Sequence, residues 1–272
     1  MVTLGGFADE ISPDLEVQIK VLGEEGLKFL ELRGVGGKNV LDFTAAERRE
    51  IRARLADAGI GVSAIGSPLG KVRIDEPWPA EVARFARALE AAEEFGAPYI
   101  RVFSYYPPQA GRIADHREEV LRRLSEEVKM SASRPATLLH ENEREIYGEK
   151  AEACLDIARS VPGMPLVFDP ANFVQAGVRP AEAWRMLRDH VVYFHIKDSL
   201  MNGKVVPAGE GDGAVREVLR DAIVVRGFGG FLSVEPHLAS AGKFSGFSGP
   251  DLFKKAVRAL KAILDELKVE YR

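Results

Sequence analysis

The sequence predicts a (β/α)8 barrel, and three observations predict it. Short apolar runs rich in β-branched and aromatic residues alternate with longer amphipathic stretches from end to end. The alternation repeats eight times, and strands separated by helices of this length pair in parallel. The chain has 272 residues, a length ordinary for one such barrel, whereas an open doubly wound sheet usually holds fewer units. No shift in composition and no Pro/Ser-rich linker divides it, so a single domain over 1–272 is expected.

The first strand falls in "TLGGFAD" and the first helix in "SPDLEVQIKVLGEEG". Ser12 is the expected N-cap, Pro13 the first helical residue and Gly26 the C-terminal stop. "LKFLELR" precedes a helix over 44–58, and "IGVSAIGS" one over 80–95. "PYIRVFS" leads into 112–130 and "ATLLHEN" into 148–160. "PLVFDP" leads into 180–189, "VVYFHIKD" into 214–225, and "GFLSVEP" into a last helix over 250–267. The doublets at 36–37 and 107–108 and the Gly/Ser-rich stretch 240–249 all follow strands, which in a barrel is the face that carries catalytic loops.

Composition narrows the function. With 46% hydrophobic residues the chain can bury a large core, and a net charge of −4 offers no electrostatic footprint for nucleic acid. The lone cysteine, Cys154, excludes an intrachain disulfide and a zinc–thiolate cluster and reads as a core residue. The start of the sequence lacks a basic segment followed by a long apolar one, and no apolar run approaches 18 residues. The expectation is a cytoplasmic protein acting on small molecules, without membrane or nucleic-acid partners. Barrels of this kind commonly pair through surface helices, so a homo-oligomer is admitted as a partner.

"HENERE" at 140–145 crowds charge at the end of a buried strand. Side chains two apart share a strand face. Glu141 therefore goes with Leu139, Asp169 with Val167, His195 with Tyr193 and Glu235 with Ser233. Four consecutive strands would each end in one metal-competent side chain. Three carboxylates converging on a point need a compensating charge, which a divalent cation supplies. Oxygen donors with one imidazole suit Mn²⁺, Mg²⁺ or Co²⁺, and Zn²⁺ is admissible.

The same residues carry a resemblance. "LLHEN", "FDPANF", "FHIKD", "GEGD" and "LSVEPH", in this order, together with "FADEIS" and "LGEEGLKFLELR", resemble the xylose-isomerase-like barrel superfamily. The nearest subset is the sugar phosphate isomerase/epimerase group, which includes ketose 3-epimerases, hydroxypyruvate isomerases and inosose dehydratases. The resemblance implies metal ligands at Glu141, Asp169, His195 and Glu235, the first and last doubling as an acid/base pair, with Mn²⁺ the first expectation. It implies proton transfer through an enediolate on a small polyhydroxylated ketose or hydroxy-carbonyl, free or phosphorylated. Dehydration of a cyclic ketol is the alternative, and a sugar-binding barrel without turnover a further one. Asn172 stands where several epimerases have a histidine that contacts substrate.

Lys197 and His237 are candidate substrate-binding residues, since each lies two positions beyond a metal-ligand candidate and could face the same mouth, and Asn172 is a third that the resemblance implies. Glu31, Arg33, Phe7, Ser67 and Tyr105 are candidate pocket walls. Trp78 either covers substrate from the loop after the third strand or packs at a helix start. His140 should face the helices, and His116 and His190 the surface. "GEGDG" (209–213) lacks the Walker pattern and sits among acids, which disfavours phosphate binding, and the resemblance implies a shape role beside the pocket. A three-metal phosphodiesterase is disfavoured, because none of the five histidines precedes residue 116.

Overall fold

The computed structural model describes residues 1–241 and 246–272. Eight parallel strands form a nearly closed barrel: β1 (Thr3–Gly6), β2 (Phe29–Leu32), β3 (Gly61–Ile65), β4 (Tyr99–Val102), β5 (Thr137–Glu141), β6 (Leu166–Phe168), β7 (Val191–Ile196) and β8 (Phe231–Val234). The hydrogen-bonded order runs β1-β8-β7-β6-β5-β4-β3-β2, leaving one seam between β1 and β2. There the chains approach closely, since a Cβ built on Gly5 would lie 3.2 Å from the Phe29 carbonyl oxygen. The last residues fill the seam's lower end: Leu4 N donates to Arg272 O at 2.8 Å and Val2 N to Glu270 O at 3.0 Å. Backbone groups of β1 that β2 leaves free are thereby satisfied.

The helices cover the barrel: α1 (Leu15–Glu24), α2 (Ala45–Asp57), α3 (Trp78–Phe95), α4 (Arg117–Ser131), α5 (Ala151–Ser160), α6 (Pro170–Gln175), α7 (Pro180–Leu187), α8 (Val215–Leu219) and α9 (Gly249–Glu266). The expected starts shift where local hydrogen bonds decide. Asp14, not Ser12, caps α1 by accepting from Glu16 N, while Ser12 Oγ accepts from Asp14 N. Thr44 and Glu47 form a capping box on α2. Gly26 is left-handed past α1, as the stop requires. The expected 112–130 and 148–160 helices each open with a 3₁₀ turn, Ile113–His116 and Tyr147–Glu149. The expected 214–225 helix is α8 continued by a π-helical segment, Arg220–Val225.

Below the rim the alternation holds. Leu139, Val167 and Tyr193, each two residues before a predicted ligand, pack together with Ala64 as one interior layer. Cys154 is buried, its Sγ 3.2 Å from Gly148 O, and burial raises its thiol pKa, so it is a core residue as expected. Trp78 begins α3 and stacks on the Arg123 guanidinium 5.3 Å away, which makes it a packing residue and not a cover.

Outside the barrel, Tyr105 turns its hydroxyl away from the mouth and donates to Glu127 Oε1 at 3.0 Å, so it walls no pocket. Burial and the nearby Glu81 charge raise the Glu127 carboxyl to about 8. The folded protein then keeps a proton that the unfolded chain releases above about 4.5. This group therefore stabilises the fold at low pH, and its contribution falls as pH rises through about 8. Glu127→Gln is expected to flatten the stability profile between pH 5 and 8 by that component. Chemical denaturation of both proteins across the range checks it, and identical slopes would count against the buried proton.

Candidate metal and active site

The alternation along β5 and β7 delivers Glu141 and His195 to the upper rim, and Asp169 and Glu235 directly follow β6 and β8. All four are buried, and one ligand atom from each lies within 4.8 Å of the others. His195 Nδ1 sits 3.0 Å from Glu141 Oε1 and 3.9 Å from Glu235 Oε2. Its Nε2 is 3.0 Å from Glu31 Oε2 on β2, an arrangement that fixes the ring and leaves Nδ1 facing the cluster. Phe7 packs edge-on against the same ring at 5.1 Å.

The acids are oriented as well. Asn142 grips the Asp169 backbone twice: Nδ2 donates to Asp169 O at 2.9 Å, and Asp169 N donates to Oδ1 at 3.0 Å. Asp169 also caps α6 by accepting from Asn172 N, because Pro170 fixes the first helical residue there. The Asn172 amide donates to Glu141 Oε1 at 3.1 Å and to the Asn142 backbone carbonyl at 2.9 Å, so it is committed to the end of β5 in this structure.

Three fixed cations surround the cluster. Lys197 Nζ bridges Asp169 Oδ2 (2.8 Å) and Glu235 Oε2 (2.9 Å). Arg33 Nη1 donates to Glu235 Oε1 at 2.9 Å. Arg101 Nη1 lies 3.2 Å from Glu141 Oε2 and 3.9 Å from Glu235 Oε1, while Ser67 and Gly66 carbonyls hold its other nitrogens. Ser67 thus supports the wall through Arg101.

Electrostatics show an unmet demand for positive charge. Six carboxylates (Asp9, Glu10, Glu31, Glu141, Asp169, Glu235) gather around those three cations and His195, which alone of these four pairs with Glu31. Burial alone would lower the His195 pKa, but Glu141 and Glu31 on its two nitrogens outweigh it and raise it to about 10. Burial would raise Glu141, yet His195 and Arg101 hold it at about 2. Burial raises Asp169 to about 6 against the pull of Lys197. Glu141 Oε2, Asp169 Oδ2 and His195 Nδ1 are buried without a well-aligned hydrogen bond among the described residues. Orphaned donors of this type, and an excess of negative charge that a dication reduces, fit a divalent ion. These four residues can hold a metal ion.

A family model for the xylose isomerase-like TIM barrel matches residues 19–263. The chain belongs to that family. No curated protein matches it. Among solved structures it is similar to the probable 3-DHS dehydratase AsbF from Bacillus anthracis (19% identity, TM-score 0.74, covering 96% of this chain and 99% of that one). It is also similar to a D-tagatose 3-epimerase-like protein (16% identity, TM-score 0.79, 98% of each chain). A third is a xylose isomerase-like TIM barrel protein from Mycobacterium smegmatis in complex with magnesium (15% identity, TM-score 0.73, 98% and 97%). At such identities the likeness is one of fold.

In this xylose isomerase-like barrel the remaining candidates divide. His237 reaches the cluster, its Nε2 3.5 Å from Glu235 Oε1. His140 points away, with Nε2 3.0 Å from Ser104 Oγ, as expected of a structural residue. Glu143 pairs with Lys71 at 3.0 Å, and Arg144 is exposed. The "GEGDG" loop binds no phosphate through its backbone: Gly209, Gly211 and Gly213 N–H groups all donate to the buried Asp198 carboxylate at 2.9–3.0 Å. A Cβ at Gly211 would meet Asp198 Oδ1 at 2.3 Å, which explains that glycine. Sequence reasoning missed Arg101, Asp198 and the acids Asp9 and Glu10. Only Arg101 carried a usable signal, sharing its strand face with Tyr99 two residues before.

Proposed function

We propose that this chain is a divalent-metal-dependent sugar isomerase or epimerase that moves a proton through an enediolate on a small hydroxy-carbonyl substrate. The observation that carries the reading is the convergence of Glu141 and Glu235, from strands three apart in the barrel, on the same nitrogen of His195. Glu141, Asp169, His195 and Glu235 would hold the ion, Mn²⁺ first and Mg²⁺, Co²⁺ or Zn²⁺ as substitutes, which polarises a carbonyl and its neighbouring hydroxyl. Glu141 and Glu235 act as base and acid at the carbon beside the carbonyl. Arg101, spanning both glutamates, and Lys197 offset negative charge that develops on substrate oxygens. Return of the proton to the opposite face gives an epimer, and to the adjacent carbon an aldose–ketose isomer.

A second reading, dehydration of a cyclic ketol, is favoured by Lys197. Its ammonium, held charged between Asp169 and Glu235, can hydrogen-bond a departing hydroxyl, a contact that two-carboxylate epimerisation does not require. Incubating the Mn²⁺-loaded protein with five- and six-carbon ketoses and with cyclic ketols, followed by chromatography and ultraviolet absorbance, tests both. Isomeric products are expected. A conjugated enone from a cyclic ketol would favour dehydration, and turnover of neither class would contradict the enzyme reading.

A further inference from the structure

Beside Glu235, a cluster of four residues lies outside the proposed metal ligands and is incompletely hydrogen-bonded. Arg33 Nε donates to Asp9 Oδ2 at 2.6 Å and Nη1 to Glu235, but Nη2 has no hydrogen bond and stands 3.9 Å from Glu10 Oε1. Glu10 Oε2 accepts from His237 N and Ser248 Oγ, both at 2.8 Å, leaving Oε1 unbonded. His237 Nε2 lies 3.2 Å from Glu10 Oε1 without the alignment of a hydrogen bond, and Asp9 Oδ1 is also unbonded. Among the described residues, Arg33 Nη2, His237 Nε2, Glu10 Oε1 and Asp9 Oδ1 are therefore left without a hydrogen bond, although three of them lie in loose ion-pair contact.

The spot is built, and it lies beside a cavity. Glu10 is fully buried, whereas the Asp9 and His237 side chains keep 22% and 12% exposure. A cavity of about 350 Å³ lined by Asp9, Arg33, the Gly34–Val35 and Lys38–Asn39 hairpin, Gly246 and Phe247 adjoins it. His237 is held at φ +46°, in the left-handed region that few non-glycine residues adopt. A Cβ on Gly246 would come within 1.6 Å of its ring. Backbone strain maintained by a buried carboxylate marks a side chain whose position matters.

We propose that Asp9, Glu10, Arg33 and His237 form a subsite that takes the hydroxyl-bearing, uncharged end of the substrate and excludes a phosphorylated one. A hydroxyl both donates and accepts, so it can satisfy an Arg33 or His237 N–H and an Asp9 or Glu10 oxygen together. A phosphate only accepts, and it would bring its charge against two carboxylates. Lys38, which also lines the cavity, is paired with Glu47 and offers no unopposed charge. The inference rests on the enediolate reading and specifies its substrate class as a free polyol-ketone.

The test uses hydroxamates, which present two adjacent oxygens to an ion as an enediolate does. Acetohydroxamate, a four-carbon trihydroxy-hydroxamate and the terminal phosphate ester of the latter are titrated into Mn²⁺-loaded protein by calorimetry. The trihydroxy compound is expected to bind about tenfold more tightly than either of the others. His237→Asn, suited to the left-handed backbone but too short to reach, should abolish that preference, read as the ratio of the two affinities within the same variant. His237→Gln should restore part of it. Asp9→Asn, which keeps an oxygen for Arg33, should let the phosphate ester bind better. Equal or tighter binding of the phosphate ester by the wild type, or a preference unaltered in these variants, overturns the subsite. Failure of acetohydroxamate itself to bind overturns the enediolate reading, and the subsite with it.

Discussion

Gly70→Ala is expected to destabilise the protein by about 4 kcal/mol, lowering its melting temperature by roughly 10 °C. Gly70 has φ +78°, where a side chain costs about 1–2 kcal/mol. A Cβ there would also lie 2.0 Å from the Phe103 carbonyl oxygen, a backbone atom with no freedom to swing aside. The contact occurs where the loops after β3 and β4 are joined backbone to backbone, with Phe103 N on Leu69 O (2.8 Å) and Tyr105 N on Gly70 O (3.0 Å). Gly70 N is held in turn by the buried Glu81 at 2.6 Å. Making room for a methyl would stretch these bonds, each worth about 1 kcal/mol. Gly26→Ala is the control, since φ there is +69° but nothing lies within 4 Å, and only the conformational cost of about 1 kcal/mol should appear. Equal losses in the two variants, read by thermal unfolding, would contradict the close approach.

Glu31→Gln is expected to weaken Mn²⁺ binding by about 10- to 100-fold while leaving the fold intact. Glu31 is fully buried and touches the proposed ligand set only through His195 Nε2, 3.0 Å away. Its charge makes the imidazole a stronger donor and holds Nδ1 toward Glu141. Glutamine keeps the shape and loses the charge, so a fall in affinity isolates this effect. Glu143→Gln, whose acid pairs with Lys71 outside the cluster, should bind Mn²⁺ as the wild type does. Unchanged affinity in Glu31→Gln would remove Glu31 from any role in holding the ion.

The strands and the four clustered side chains were legible because a barrel strand imposes a strict period of two. Once Leu139, Val167 and Tyr193 are placed inward, Glu141, Asp169 and His195 must follow at the rim. Arg101 obeys the same rule but was passed over, since an arginine in a strand is more often turned to solvent. Asp9 and Glu10 sit in or beside the 3₁₀ turn Ala8–Glu10, which has no period to read, and their partners Arg33, His237 and Ser248 are far away in sequence. Asp198 organises the glycine loop through backbone N–H groups 11 to 15 residues later, which no residue pattern encodes. Helix α6 escaped notice because its six residues are too few for helical periodicity, although Asp169 and Pro170 together form a start signal.

The proposal that Glu141, Asp169, His195 and Glu235 hold one divalent ion is tested most directly by counting ions. Chelator-treated protein is titrated with Mn²⁺ in a calorimeter, alongside Glu235→Gln and His195→Ala. One ion per chain is expected for the wild type, with affinity reduced by about 100-fold or more in each variant. No binding of Mn²⁺, Mg²⁺, Co²⁺ or Zn²⁺ by the wild type, or full binding by both variants, would contradict it.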